Sequence, residues 1–191
     1  MTSEAPAGAV AGAVPGPGVP QFEMSPHNCF ACGTLNTHGL HLLVHVEPGR
    51  SWSDVTLDSR FEGWHGIAHG GILCTILDEV MAWALVGSDN WGLTTRLSVD
   101  FRKPVEIGRR FRAEGWVTRS RRRLVDSAGR LVDAASGVEL ATAQGVYFAA
   151  GEARKRELRE RYGFRVVDEQ PGTPASVAPP RPSRPPRTSG R

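Results

Sequence analysis

Seven apolar side chains, Ile72, Leu73, Ile76, Leu77, Val80, Met81 and Ala84, recur at helical spacing between Gly71 and about Val86. This is the one strongly apolar helix that the pattern supports. A helix so apolar cannot lie free in water and must be covered by another layer. The flanking sequence supplies that layer. After Trp91-Gly92 the period changes, and Leu97, Val99 and Phe101 alternate with Arg96, Ser98, Asp100 and Arg102. That alternation is strand periodicity. Further strands are expected at Phe111 to Arg119, Leu124 to about Val132 and Leu140 to Ala149, with a turn at Ala134 to Gly137. Two shorter strands, His41 to Glu47 and Ser51 to Leu57, precede the helix around a Pro48-Gly49 turn, and Phe61 to Gly71 reads as a loop. Connections this short favour hairpins and an antiparallel sheet. One apolar helix on one such sheet makes a two-layer α+β domain.

The ends of the chain differ in kind. We expect disorder over residues 1–25, a folded domain over 26–150, a short charged helix and connector over 151–169, and a disordered basic Pro-rich tail over 170–191. The net charge of +3 does not indicate a nucleic-acid reader. Residues 152–191 hold 10 of the 23 basic and 5 of the 20 acidic side chains, which leaves the remainder net negative at −2. No apolar run reaches membrane-spanning length, and the first twenty residues lack the basic and apolar regions of a secretory signal. The expectation is a cytoplasmic protein with no nucleic-acid or membrane partner.

The chemistry is concentrated in Trp64-His65-Gly66-Ile67-Ala68-His69-Gly70-Gly71 and the helix that follows. Paired glycines let backbone approach a ligand. The first helical N–H groups have no partner within the helix and face outward at its positive end. A thioester carbonyl placed there would find donors for a developing oxyanion. On a helical wheel Asp78 falls opposite the centre of the apolar face, near Cys74, Thr75 and Ala82, whereas Glu79 lies on the flank nearer Ile72 and Trp83. That places Asp78 away from the sheet, at a subunit interface, where partial desolvation would raise its base strength.

His69-Gly70-Gly71 followed by Asp78 resembles the hotdog-fold thioesterases of the phenylacetyl-CoA thioesterase type, within the 4-hydroxybenzoyl-CoA thioesterase superfamily. The upstream strap, Cys29-Phe30-Ala31-Cys32-Gly33 leading to Asn36 and Gly39-Leu40, resembles the Cys-Phe-x-Cys-Gly-x-x-Asn-Pro-x-Gly-Leu segment of many relatives. Thr37 and His65 stand where relatives often have Pro. The resemblance implies a hotdog fold, with one central apolar helix wrapped by an antiparallel sheet. It also implies a homodimer or tetramer with its sites at the dimer interface. By position, Asp78 is then the general base or nucleophile, the Gly71 N–H polarises the carbonyl, Gly70 shapes the turn, and His69 orients the loop. Asn36 and His65 are candidates for substrate binding, as are Arg121 and Arg122 for the phosphates of coenzyme A. The expected reaction is hydrolysis of an acyl-CoA, with no cofactor. A non-catalytic acyl-CoA sensor and an enoyl-thioester hydratase are the competing readings.

The three cysteines give no disulfide framework. Cys29 and Cys32 form a Cys-x-x-Cys near His27 and His38, but no second ligand pair follows at zinc-site spacing. No metal is therefore expected. A redox role would need a thioredoxin-like context that the pattern lacks.

Overall fold

The computed structural model describes residues 21–167, so the expectations for residues 1–20 and for the tail beyond 167 lie outside the described part. Ten strands and two helices are described. They are β1 (Gln21–Glu23), β2 (His45–Glu47), β3 (Arg50–Thr56), β4 (Glu62–Trp64), β5 (Ile67–Ala68), α1 (Gly70–Val86), β6 (Gly92–Phe101), β7 (Arg110–Arg121), β8 (Leu124–Asp133), β9 (Glu139–Ala149), α2 (Glu152–Tyr162) and β10 (Arg165–Val167). Six strands form one antiparallel sheet in the order β2-β3-β7-β8-β9-β6. The small β1–β10 pair places strand structure at 21–23 and 165–167, on both sides of the bounds expected for the domain.

Helix α1 lies against this sheet and buries Leu73, Ile76, Leu77, Val80, Met81, Ala84 and Leu85. Its counterparts on the sheet include Phe111, Ala113, Val125, Leu131, Ala141 and Tyr147, all fully buried. Each large side chain in this seam contributes on the order of 1.5–3 kcal/mol through burial. The helix sits very close to β7. A Cβ at Gly115 would lie 2.5 Å from the Val80 carbonyl oxygen, so only glycine allows this approach.

Two differences from the pattern reading affect the site. The stretch before α1 is not an open loop. It holds a 3-10 turn at Ser59–Phe61 and the β4–β5 hairpin. The strands after α1 also do not follow one another as neighbours. β7, β8 and β9 form a meander, but β6 pairs with β9 at one edge, while β7 returns to the middle beside β3. Residues 102–109 make that crossing beneath the start of α1, where the Val105 carbonyl accepts the Ala68 N–H at 2.9 Å. Strand order depends on which neighbour buries each face, and alternation within single strands does not encode it.

Candidate active site

The start of α1 is organised by His69, its N-cap. The backbone of His69 is extended (φ −66°, ψ 131°), and its ring Nδ1 accepts the Gly71 N–H at 2.9 Å. The His69 carbonyl takes the N–H groups of Ile72 at 3.0 Å and Leu73 at 3.2 Å. The Gly70 N–H has no partner among the described residues. The sequence expectation gave the carbonyl-polarising role to Gly71. In the structure that N–H is used in the cap, and Gly70 carries the free one.

Beside this amide is a cleft of about 360 Å³ lined by Ile67, Ala68, Gly70, Leu73, Phe101 and the crossing residues Arg102 to Val105. Its walls are mostly apolar, with Arg102 and Lys103 at the rim. Phe101 is half exposed.

Asp78 is not on the side of α1 that faces away from the sheet. Its carboxylate accepts Thr94 Oγ1 at 2.9 Å and 3.1 Å, and Tyr147 Oη donates to Oδ1 at 2.9 Å. Thr94 and Tyr147 are opposite one another on β6 and β9. The two hydroxyls therefore share the helix-facing side of the sheet. The wheel misplaced Asp78 because the sheet curls around α1, so a residue on the flank of the helix still meets strands. Next to Thr94 the β6–β9 register shifts, leaving Thr95 unpaired in a bulge whose Oγ1 bonds the Val146 carbonyl at 2.8 Å. Burial, and then the negative charge of Asp78, push the Tyr147 hydroxyl above its ordinary pKa, so it remains a hydrogen-bond donor at any working pH.

Glu79, the neighbouring acid, faces the strap. Its Oε1 accepts the Trp83 indole N–H at 2.8 Å, and its Oε2 lies 4.0 Å from Cys29 Sγ. Burial pushes its carboxyl above the ordinary glutamate value. The desolvated acid on this helix is thus Glu79, while Asp78 is the one oriented by hydroxyls beside an edge strand.

The remaining expected residues are scattered. Asn36 shapes the strap, its Oδ1 accepting the His38 N–H at 3.1 Å and its Nδ2 reaching the Asn28 carbonyl at 3.5 Å. His65 is exposed at the β4–β5 turn, beside the positive-φ Gly66. Arg121 pairs with Asp126 at 2.7 Å, and Arg122 occupies the β7–β8 turn at φ 48°. That turn lies by Phe148 and the Gly92 end of β6, at the opposite end of the strand from Phe101 and the cleft. Thr94 and Tyr147 were missed in the sequence. A lone Thr and a buried Tyr carry no motif, and only strand pairing brings them to Asp78.

Comparison with known proteins agrees with this architecture. The family model of the thioesterase superfamily matches residues 65–139, from the loop before α1 through β8. The chain superposes on a thioesterase superfamily protein with TM-score 0.59 at 22% identity, covering 63% of this chain and 60% of that one, so it spans less than two thirds of that relative. A Streptococcus mutans protein solved with acetyl-CoA gives 0.55 at 17% identity, over 62% of this chain and 98% of that one. The Escherichia coli PaaI protein of the phenylacetic acid degradation operon gives 0.51 at 19% identity, over 53% and 77%. No curated protein sequence matches significantly. The fold is the hotdog fold, as the resemblance implied.

Proposed function

We propose that this hotdog-fold chain, matched over its central segment by the thioesterase superfamily, hydrolyses an acyl-CoA at a site shared by two copies of itself. One observation carries the reading. The free amide at Gly70 and the hydroxyl-held carboxylate at Asp78 lie on the same helix, eight residues apart. Eight residues of helix rise about 12 Å. A reacting carbonyl needs its oxyanion donor and its base each within about 3 Å. That separation is too long for one carbonyl to reach both within a chain, which supports a base supplied by a second chain.

The free edge of the sheet suggests how. β6 is ten residues long, has no strand on its outer side among the described residues, and carries exposed Leu93 and Phe101. Such an edge is a template for pairing. Antiparallel pairing of β6 with its own copy about a two-fold axis would carry the partner's Asp78 towards the cleft at Gly70. It would also bring the partner's Arg121 and the partner's Arg122 to that end. In this reading the acyl chain occupies the apolar cleft, and Arg102, Lys103 and the hairpin arginines meet the phosphates of coenzyme A. Asn36 and His65 would border the substrate from the strap and the β4–β5 turn.

The Gly70 N–H and the positive end of α1 polarise the thioester carbonyl. The partner's Asp78 removes a proton from water as the oxygen attacks carbon. Negative charge collects on the carbonyl oxygen, the C–S bond breaks, and coenzyme A leaves as thiolate. The proton held by the aspartate then returns to solvent. Thr94 and Tyr147 position the carboxylate, leaving Oδ2 the less engaged oxygen. No resident cofactor takes part.

The test pairs two substitutions. Asp78→Asn should lower turnover of acyl-CoAs by at least about 100-fold. Gly70→Pro removes the N–H at the first helical position, where proline is well tolerated, and should lower turnover by about 10²–10³-fold. Mixing the two inactive chains under conditions of subunit exchange should restore activity, because a hybrid dimer contains one intact site. Failure of the mixture to recover, while mass measurements show hybrids, would exclude a shared site. Tight acyl-CoA binding without any turnover by the wild-type chain would favour the sensor reading. Water addition to an enoyl-CoA would favour the hydratase.

A further inference from the structure

The strap that precedes β2 passes over the flank of α1, and where they meet three potential ligands converge. Cys29 Sγ, Cys32 Sγ and a Glu79 carboxylate oxygen all lie within 4.8 Å of one another. His27 Nε2 is 3.4 Å from Cys32 Sγ. We propose that Cys29, Cys32 and Glu79 form a three-ligand site for a zinc ion, with His27 beside Cys32 to complete it, and that the ion clips the strap onto α1.

Three features of the surroundings support this. First, the strap is folded as a tight turn across the two cysteines. The Gly33 N–H returns to the Cys29 carbonyl at 3.0 Å. A Cβ at Gly33 would lie 2.4 Å from both the Cys29 nitrogen and the His27 carbonyl, so the turn closes only with glycine. Second, both non-sulfur ligands are held by their other atom. His27 Nδ1 lies 3.0 Å from the Ser25 carbonyl, which leaves Nε2 free to face the cysteines. Glu79 Oε1 takes the Trp83 N–H, which leaves Oε2 facing Cys29. Metal-binding residues are commonly oriented by such outer contacts. Third, Glu79 is a mostly enclosed acid that takes part in none of the ion pairs among the described residues. A buried carboxylate without a cation is costly, and a divalent ion removes that cost.

Two thiolates select a soft or borderline metal, and an S₂O set with an imidazole close by to supply the fourth ligand suits structural zinc. Binding releases the two thiol protons to solvent. No second ligand pair follows Cys32 at finger-like spacing. Glu79 on the central helix takes that place, with His27, two residues before Cys29, beside Cys32.

The test needs no enzymatic readout, so it stands apart from the proposal for hydrolysis. Full-length protein, reduced and dialysed against zinc, should retain about one metal per chain by elemental analysis. Cobalt substitution should give thiolate-to-cobalt charge-transfer absorption with the d–d intensity of a tetrahedral site. Trp83→Phe, which removes only the outer contact to Glu79, should weaken zinc affinity by about 10–100-fold. The Cys29→Ser/Cys32→Ser chain should retain none. Titration of all three cysteines at the same rate with and without zinc would overturn the proposal. So would an oxidation-resistant count of one free thiol without metal, which would indicate a Cys29–Cys32 disulfide.

Discussion

At the scale of single residues, His69 determines which amide at the start of α1 is free. A ring nitrogen can accept from a helical N–H only when it carries no proton. The cap at Gly71 therefore requires the proton on Nε2, and it leaves the amide of Gly70, a residue that lines the cleft, without a partner among the described residues. His69→Ala should cost about 1 kcal/mol of stability, as loss of an N-cap does. It should also reduce turnover, because Gly71 and Gly70 would then compete for the same carbonyl. His69→Asn, which can restore the cap, should recover the stability seen in thermal melts. Full recovery of turnover together with stability would show that the ring acts only as a cap. The neighbouring acids show the same dependence on environment. Asp78 and Glu79 are adjacent in sequence, yet two hydroxyls hold the first, while an indole and two thiols enclose the second.

At the scale of elements, β6 has two sides with different partners. One side pairs with β9 along nearly its whole length, and the other has no strand against it among the described residues. Leu93 is 77% exposed, which leaves a large apolar side chain in water for a single chain. If the open edge pairs with its own copy, Leu93→Glu should change the stability of the isolated chain by no more than about 0.5 kcal/mol. It should nonetheless shift sedimentation from dimer towards monomer, with acyl-CoA turnover falling in parallel. An unchanged dimer would place the interface elsewhere. The bulge at Thr95 marks where this strand changes register, beside the contact from Thr94 to Asp78.

At the scale of the whole molecule, the crossing segment is tied to the sheet by Asp133. This buried carboxylate at the end of β8 is bonded by Arg109 from the crossing and by the N–H and hydroxyl of Ser136 at 2.7 Å and 2.6 Å. Arg109 first, and then Ser136, hold its carboxyl well below the ordinary value of 3.8. Asp54 is likewise held down, chiefly by Arg112. The sign follows from linkage. For an acid whose folded pKa is depressed, the unfolded chain binds more protons as pH falls. The contribution is fully present above about pH 4 and is lost as pH drops towards the folded value. Melting temperatures from pH 7 to pH 3 should therefore fall more steeply for wild type than for Asp133→Asn, and the gap between them should narrow at the acid end. Parallel curves would mean that Asp133 contributes no such linkage.

Much of this protein could be read from residues that are close together in the chain. The apolar helix, the alternating strands after it and the Gly-rich cap before it are local patterns. Their periods are set by backbone geometry, so one sequence suffices to see them. The link from His69-Gly70-Gly71 to Asp78 was legible for the same reason, since both lie on one continuous helix. What only the tertiary structure decided are relations between distant residues. They include the return of β7 to the middle of the sheet, the hydroxyls of Thr94 and Tyr147 on Asp78, and the meeting of Glu79 with Cys29 and Cys32. Each depends on how the sheet curls around α1 and where the strap crosses it. Those are outcomes of burying one common core, and no local period in the sequence encodes them.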